Sequence, residues 1–121
     1  MDANEILKAA EDHFSKVATE CDLRSVEVPE WGATLYFPAA ISLLRKSRIM
    51  EASANGGLEH MAQIIIECAR DEQGKPIFTK AHKSHMMTKV DSNVLIRVAG
   101  EMAAAMAPDE DIEGKSETTR S

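Results

Sequence analysis

The segment 58–69 most limits what this chain can fold into, because it is apolar on most of the sides that a helix would present. Such a helix has little polar surface to present to water, so we expect it to be the central helix of the fold. Aromatic residues make up only 4% of a sequence that is 44% hydrophobic, which favours helix packing over sheet packing. The apolar residues of this segment are Leu58, Met61, Ala62, Ile64, Ile65, Ile66, Cys68 and Ala69.

The N-terminal segment 3–19 has apolar residues at spacings of three and four, separated by charged ones. This pattern is typical of a helix with one apolar stripe, and we expect the stripe to pack on another element. The stripe residues are Ile6, Leu7, Ala10, Phe14 and Val17.

After this helix the spacing of the apolar residues changes, from the three or four of a helix to the strict alternation of a strand. Val26 and Val28 alternate with polar residues, and so do Leu35 and Phe37, which predicts two short half-buried strands. The intervening segment 29–32, with the sequence PEWG, contains the Pro and Gly that suit a tight turn. The sequence therefore predicts a β-hairpin near residues 24–37.

The remaining chain predicts further helices separated by Gly and Pro. Pro38 suits the first turn of a helix that runs to about Ala52, and segment 55–57 (NGG) breaks it. After segment 58–69, segment 71–76 (DEQGKP) turns the chain. Thr79 then caps a short helix that ends near Thr88.

Asp91 is the predicted cap of a last helix, which carries Val94, Leu95, Val98, Met102 and Met106. The resulting prediction is a mainly α fold, a small domain of four to five helices with one short hairpin, over residues 1–107. Residues 108–121 are acidic and lack large apolar side chains, so we expect a flexible tail there.

The charge of the chain argues against several partners. The formal net charge is −6, which repels phosphate backbones and anionic lipid, so we expect neither nucleic acid nor membrane as a partner. The N-terminus lacks a basic region followed by a long apolar run, and two cysteines do not make a disulfide framework. These features predict a protein that stays in the cytoplasm, with Cys68 as a core residue.

Residues with catalytic or metal-binding chemistry do not form a recognisable pattern. His82 and His85 lie three apart, but no carboxylate or Cys stands at a matching spacing, so a solvated polar face is the favoured reading. Gly56 and Gly57 lack the residues of a phosphate-binding loop. We therefore expect no enzyme activity, no catalytic residue, no metal and no cofactor.

A basic cluster, Arg45-Lys46-Ser47-Arg48, suggests an alternative function. With Lys75, Lys80, Lys83 and Lys89 it could form a basic patch, as in a small DNA-binding regulator. An ordinary charged helix surface is favoured because the whole chain is negative.

Methionine and the single Trp are the candidate partner-binding residues. Seven methionines are many for this length, and a Met-lined groove adapts to other helices, although a soft core explains them as well. Trp31 is predicted at the hairpin tip, either as a lid on the helices or as an anchor for another subunit. The predicted partner-binding residues are Trp31, Tyr36, Met61, Met86, Met87, Met102 and Met106.

Two sequence blocks resemble the tail assembly chaperones of long-tailed bacteriophages and related prophages. The first is RSVEVPEWG at 24–32, followed by a second strand and a helix, and the second is DEQGKPIFT at 71–79. The likeness extends in order and spacing over about residues 24–106. It departs at 38–42 (PAAIS), where such proteins tend to have Leu-Thr and an acidic start of a helix.

This resemblance implies a mostly helical protein that is absent from the mature virion. It implies binding to the long tape measure protein, which is thereby kept soluble, and help in recruiting tail tube subunits. Members of the family are described as self-associating, which implies a homo-oligomer. A structural tail or head-completion subunit is the alternative of a different class.

Overall fold

The computed structural model describes residues 2–20 and 23–105 of the chain. Within these residues the fold is mainly helical, with five α-helices and one antiparallel hairpin, which confirms the predicted fold class. No helix in them has the length and apolarity needed to cross a membrane. Cys21, Met106 and the predicted tail at 108–121 lie outside the described residues.

The first helix, α1, spans Ala3–Ser15 and continues as a π-helical turn, Lys16–Glu20, close to the predicted end. Its start is fixed by reciprocal capping, because Asp2 accepts from the backbone N–H of Glu5 (2.9 Å) while Glu5 accepts from that of Asp2 (3.0 Å). Within residues 2–20 and 23–105, the expected burial of its apolar stripe on another element is not found. None of its residues is buried within the described structure.

The hairpin consists of β1 (Arg24–Val28) and β2 (Ala33–Phe37), which confirms the prediction. Val26 pairs with Leu35, so the apolar residues of both strands share one face and enter the core. Between the strands, Pro29–Trp31 form a 3₁₀ turn, which Gly32 ends with a φ of +63°. Glycine adopts this left-handed conformation without steric cost.

The second helix, α2, spans Leu43–Ala54 and begins five residues after Pro38. The prediction of Pro38 in its first turn is wrong, because Ser42 supplies the cap by accepting from the backbone N–H of Arg45 (3.3 Å). Pro38 instead follows β2 directly and is buried. The helix ends before Gly56, which has a φ of +84°. This confirms that segment 55–57 ends the helix.

The central helix, α3, spans Glu59–Cys68, and every residue from Ala62 to Cys68 is buried. It packs against α2 on one side and against the last helix on another, which confirms its central position. Burial of the Cys68 thiol raises its pKa to about 11, as expected for a core residue.

The C-terminal half confirms both predicted caps. Thr79 caps a 3₁₀ turn, Lys80–His82, which leads into α4 (Lys83–Thr88). Asp91 accepts from the backbone N–H of Asn93 (2.9 Å) at the start of α5 (Ser92–Ala105). The inner face of α5 joins the core and consists of Val94, Leu95, Val98, Ala99 and Met102.

Candidate functional site

A buried carboxylate, Glu67 of α3, ties α2 to the central helix. Its Oε1 accepts from Nη1 of Arg45 (2.9 Å) and of Arg48 (3.3 Å), and its Oε2 accepts from Nε2 of Gln63 (2.7 Å). The whole residue is only 2% exposed. A charge in this position is tolerated only because it is paired and hydrogen-bonded.

The end of α3 is joined to the hairpin through Arg70. Its backbone N–H donates to the carbonyl of Tyr36 (2.6 Å), and its own carbonyl accepts from the N–H of Tyr36 (3.1 Å). The guanidinium caps the last helical turn by donating to the carbonyls of Glu67 (2.9 Å) and Ala69 (3.1 Å). Burial, and next the nearby charge of Arg45, lowers the pKa of Arg70.

An open groove of about 1020 Å³ lies between α2, α3 and the turn before α4. Its charged groups are mostly engaged in ion pairs, since Arg45 and Arg48 bind Glu67 while Lys83 binds Glu59. The bond from Lys83 lowers the pKa of Glu59. These ion pairs therefore join α2 to α3 and α3 to α4 along the groove.

The basic cluster of α2 has a structural role that its sequence did not reveal. Arg45 and Arg48 point towards α3, and both bind the carboxylate of Glu67. Two of the three basic side chains in this cluster are thus paired within the fold. This weakens the case that the cluster binds DNA.

The two histidines that were considered as metal ligands lie in the turn before α4 and in α4. His82 Nδ1 accepts from the backbone N–H of Thr79 (2.9 Å), and its ring stacks edge-on against Phe78. In the part of the chain that the structure describes, no group of three or more His, Cys, Asp or Glu residues could hold a metal ion.

The predicted partner-binding residues are dispersed over the molecule. Met102 and Met86 lie in the core and can reach a partner only if the helices separate. Met61 and Tyr36 are half-buried, and Met87 is exposed. Met106 falls outside the described residues. The partner-binding role of this set stays a prediction.

Trp31 lies at the hairpin tip, half-buried, and packs against the hydrophobic core. Beside it, the carboxylate of Glu30 accepts two bonds from the guanidinium of Arg97 in α5, from Nη1 (2.8 Å) and Nη2 (3.0 Å). This bidentate pair holds the tip of the hairpin on α5.

Acidification is expected to release the hairpin tip from α5. The hydrogen bonds from Arg97, and next one from the backbone, lower the pKa of Glu30 from 4.5 to about 2. A carboxylate with a depressed pKa contributes its stability above the unfolded value, and this contribution is lost as the pH falls from about 4.5 to about 2. Fluorescence of Trp31, the only Trp, should shift to longer wavelength over this range.

The matched variant for this prediction is Glu30→Gln, which removes the titrating group and leaves the other carboxylates in place. Its fluorescence should already resemble that of the acidified wild type at neutral pH, with a smaller change on acidification. Identical pH profiles for both proteins would show that the pair does not hold the tip.

Large apolar side chains remain exposed on two helices in particular, α1 and α2. Residues of this size that keep 37–82% of their surface in water are concentrated where proteins bind other proteins. They are Ile6, Leu7, Phe14, Leu43, Leu44, Met50, Leu58, Ile77 and Met87. Sequence analysis located the stripe of α1 but did not single out the exposed face of α2.

No family model and no curated protein matches this sequence. Among solved structures, it is similar to that of the bacteriophage HK97 tail assembly chaperone, with a TM-score of 0.53 and 18% sequence identity. The similarity covers 94% of this chain and 99% of that chain. The resemblance seen in the two sequence blocks thus extends to the arrangement of helices and hairpin. The chain has the fold of the bacteriophage HK97 tail assembly chaperone.

Proposed function

We propose that this protein is a phage tail assembly chaperone that acts by binding other proteins, without catalysis. It binds the tape measure protein, keeps it soluble and helps recruit tail tube subunits around it. The observation that carries the proposal is the shared fold with the HK97 chaperone over nearly the whole of both chains. The two sequence blocks within this fold support it independently.

The surface of the protein suits such a role. A long helical client is best held by many weak apolar contacts repeated along its length, rather than by one deep pocket. The exposed aliphatic residues of α1 and α2 can supply such contacts, together with Met87 and the hairpin residues Trp31 and Tyr36. The net charge of −6 would help to keep the loaded complex in solution.

The same proposal includes the place of action and the oligomeric state. The protein works in the cytosol of the host bacterium, is absent from the mature virion, and has neither nucleic acid nor membrane as a partner. It self-associates, which multiplies weak contacts with one client. A structural tail or head-completion subunit would differ by remaining in purified particles.

Co-expression with the tape measure protein of the same genome tests this function. The chaperone should move the tape measure protein into the soluble fraction and co-purify with it, whereas an unrelated acidic protein of similar size should not. An unchanged soluble fraction without co-purification would contradict the proposal.

Two variants would test the predicted binding surface. Met87→Gln should reduce co-purification several-fold, because Met87, 49% exposed, is the exposed member of the predicted set among the described residues. Ser84→Gln, at an exposed polar residue of the same helix, is the matched control. Equal co-purification of both variants and the wild type would remove Met87 from the binding surface without contradicting the function.

A further inference from the structure

The chain around α4 carries positive charge that is mostly unpaired. Residues 73–90 contain four lysines and no acidic residue. Lys83 forms an ion pair with Glu59, and within residues 2–20 and 23–105 no other ion pair involves these lysines. The three lysines that are left are all exposed. We call residues 75–89 the lysine segment, and its cations are Lys75, Lys80, Lys83 and Lys89.

Two of the unpaired lysines stand at the ends of the helical part of the lysine segment. Lys80 begins the 3₁₀ turn, and Lys89 directly follows α4. At about 2.0 Å per residue in the turn and about 1.5 Å in the helix, their Cα atoms are about 15 Å apart. A chain of several negative charges suits this spacing better than one small anion.

The segment 109–113 (DEDIE) of the same chain is such a chain of charges. Four of its five residues are acidic, and it contains no basic residue. Extended at about 3.4 Å per residue, its ends are about 14 Å apart. The segment therefore matches the two lysines in sign and in spacing. It lies outside the described residues, beyond the end of α5 at Ala105.

The connection to α5 has the length that this contact requires. Helix α5 starts at Ser92, three residues after Lys89, and its 14 residues are about 20 Å long. A chain that runs back from Ala105 at about 3.4 Å per residue places residues 109–113 about 14–27 Å from the helix end. The acidic residues can therefore reach Lys89 without any rearrangement of the helices.

We infer that segment 109–113 binds the lysine segment of its own chain. Each ion pair of this kind is weak, because both partners are solvated. The tether compensates, since it holds the acidic residues near the lysines at an effective concentration in the millimolar range. Salt screens exposed charges, so the contact is lost at high ionic strength.

The contact places the acidic segment beside Met87, which is 49% exposed. Met87 lies between Lys83 and Lys89 and is one of the predicted partner-binding residues. A client that contacts Met87 has to displace the acidic segment, so the segment weakens client binding. This consequence rests on the proposed function, whereas the contact itself does not.

Paramagnetic relaxation in the full chain tests the contact. A nitroxide is attached at Ser116→Cys in a chain that also carries Cys21→Ser, while Cys68 is buried and stays unlabelled. At low salt the amide signals of residues 80–89 should lose about half of their intensity, because the tether keeps segment 109–113 bound for much of the time. In 1 M NaCl, where the Debye length is about 3 Å, the signals should recover.

Charge variants identify the groups that are responsible. A neutral-tail variant should abolish the loss of signal, and it carries Asp109→Asn, Glu110→Gln, Asp111→Asn and Glu113→Gln. Lys80→Gln with Lys89→Gln, on the other side of the contact, should have the same effect. The matched control neutralises four exposed acidic residues elsewhere, with the same change in net charge, and should behave as the wild type. It carries Glu11→Gln, Asp12→Asn, Glu27→Gln and Glu72→Gln.

Two results would overturn the inferred contact. One is a set of signals from residues 80–89 that keep full intensity at low salt, or that lose as much intensity in the neutral-tail variant as in the wild type. The other is a loss of signal in ¹⁵N-labelled chains without nitroxide when they are mixed with nitroxide-labelled chains, because the acidic segment then binds a second copy.

The consequence for the client is measured separately. The neutral-tail variant should co-purify with about twice as much tape measure protein as the wild type, because no competitor occupies the surface around Met87. Unchanged co-purification would overturn the competition and leave the contact standing. An absence of co-purification with either protein would contradict the proposed function, and the relaxation experiment would still decide the contact.

Discussion

Replacing Glu67 by Ala should lower the free energy of unfolding by about 3 kcal/mol, because removing one member of a buried ion pair leaves its partners uncompensated. The partners are Arg45 and Arg48, which lose their shared acceptor, and the buried amide of Gln63, which loses a bond of 2.7 Å. Since both arginines belong to α2, the variant also loses the ion pairs that join that helix to α3. Urea unfolding followed by circular dichroism measures the effect.

The matched control for this variant is Glu59→Ala. Glu59 lies on the same helix and also forms an ion pair, with Lys83, but its side chain is 33% exposed whereas that of Glu67 is 3% exposed. When a solvent-accessible ion pair is broken, water solvates the remaining charge, so the control should shift the urea midpoint only slightly. Equal shifts for the two variants would show that the Glu67 cluster is an ordinary surface network.

Ile65→Ala should cost about 4 kcal/mol of unfolding free energy, at the upper end of what a large-to-small change in a core produces. Ile65 is completely buried in the middle of α3, which is the helix that contacts both α2 and α5. The surrounding helices cannot collapse into the cavity without losing contacts with one another. Against a total stability of about 5–15 kcal/mol, such a loss would leave a marginal fold.

Two further variants calibrate the Ile65 result in the same urea unfolding experiment. Ile65→Val should cost about 1 kcal/mol, since it removes a single methyl group from the same position. Leu43→Ala, at an exposed residue of α2, should change the stability by no more than about 0.5 kcal/mol. If Ile65→Ala behaves like Leu43→Ala, then α3 is not the centre of the fold.

The parts of the fold that are set by short-range patterns could be predicted from the sequence. Alternation of Val26, Val28, Leu35 and Phe37 indicated the hairpin, because a period of two places one set of side chains on one face. Thr79 and Asp91 indicated helix starts, because their caps involve backbone groups only two or three residues away.

The start of α2 was missed because two local rules compete there. Pro38 is favourable in a first helical turn, but it also ends a strand, and Ser42 supplies a real cap. The strand continues through Phe37 by pairing with Arg24, and Tyr36 also bonds to Arg70 from the end of α3. The bonds between Tyr36 and Arg70 join distant parts of the chain, and no local pattern contains them.

The Glu67 cluster could not be predicted for the same reason, since its arginines stand 19 and 22 residues away in the sequence. One signal was present, a carboxylate four residues after Gln63 inside an otherwise apolar run. A charge placed there has to find a partner, because burial without one is too costly. The methionines show another limit of sequence analysis. The spacing of apolar residues did not distinguish Met102, which is buried, from Met87, which is exposed.

Deletion of this gene from the phage or prophage genome that carries it tests the chaperone role most directly. The account predicts that no complete tails form, that the tape measure protein becomes insoluble, and that a plasmid copy of the gene restores both. Mass spectrometry of wild-type particles should not detect the protein. Normal tails in the deletion strain, or the protein as a stoichiometric component of purified particles, would contradict the account.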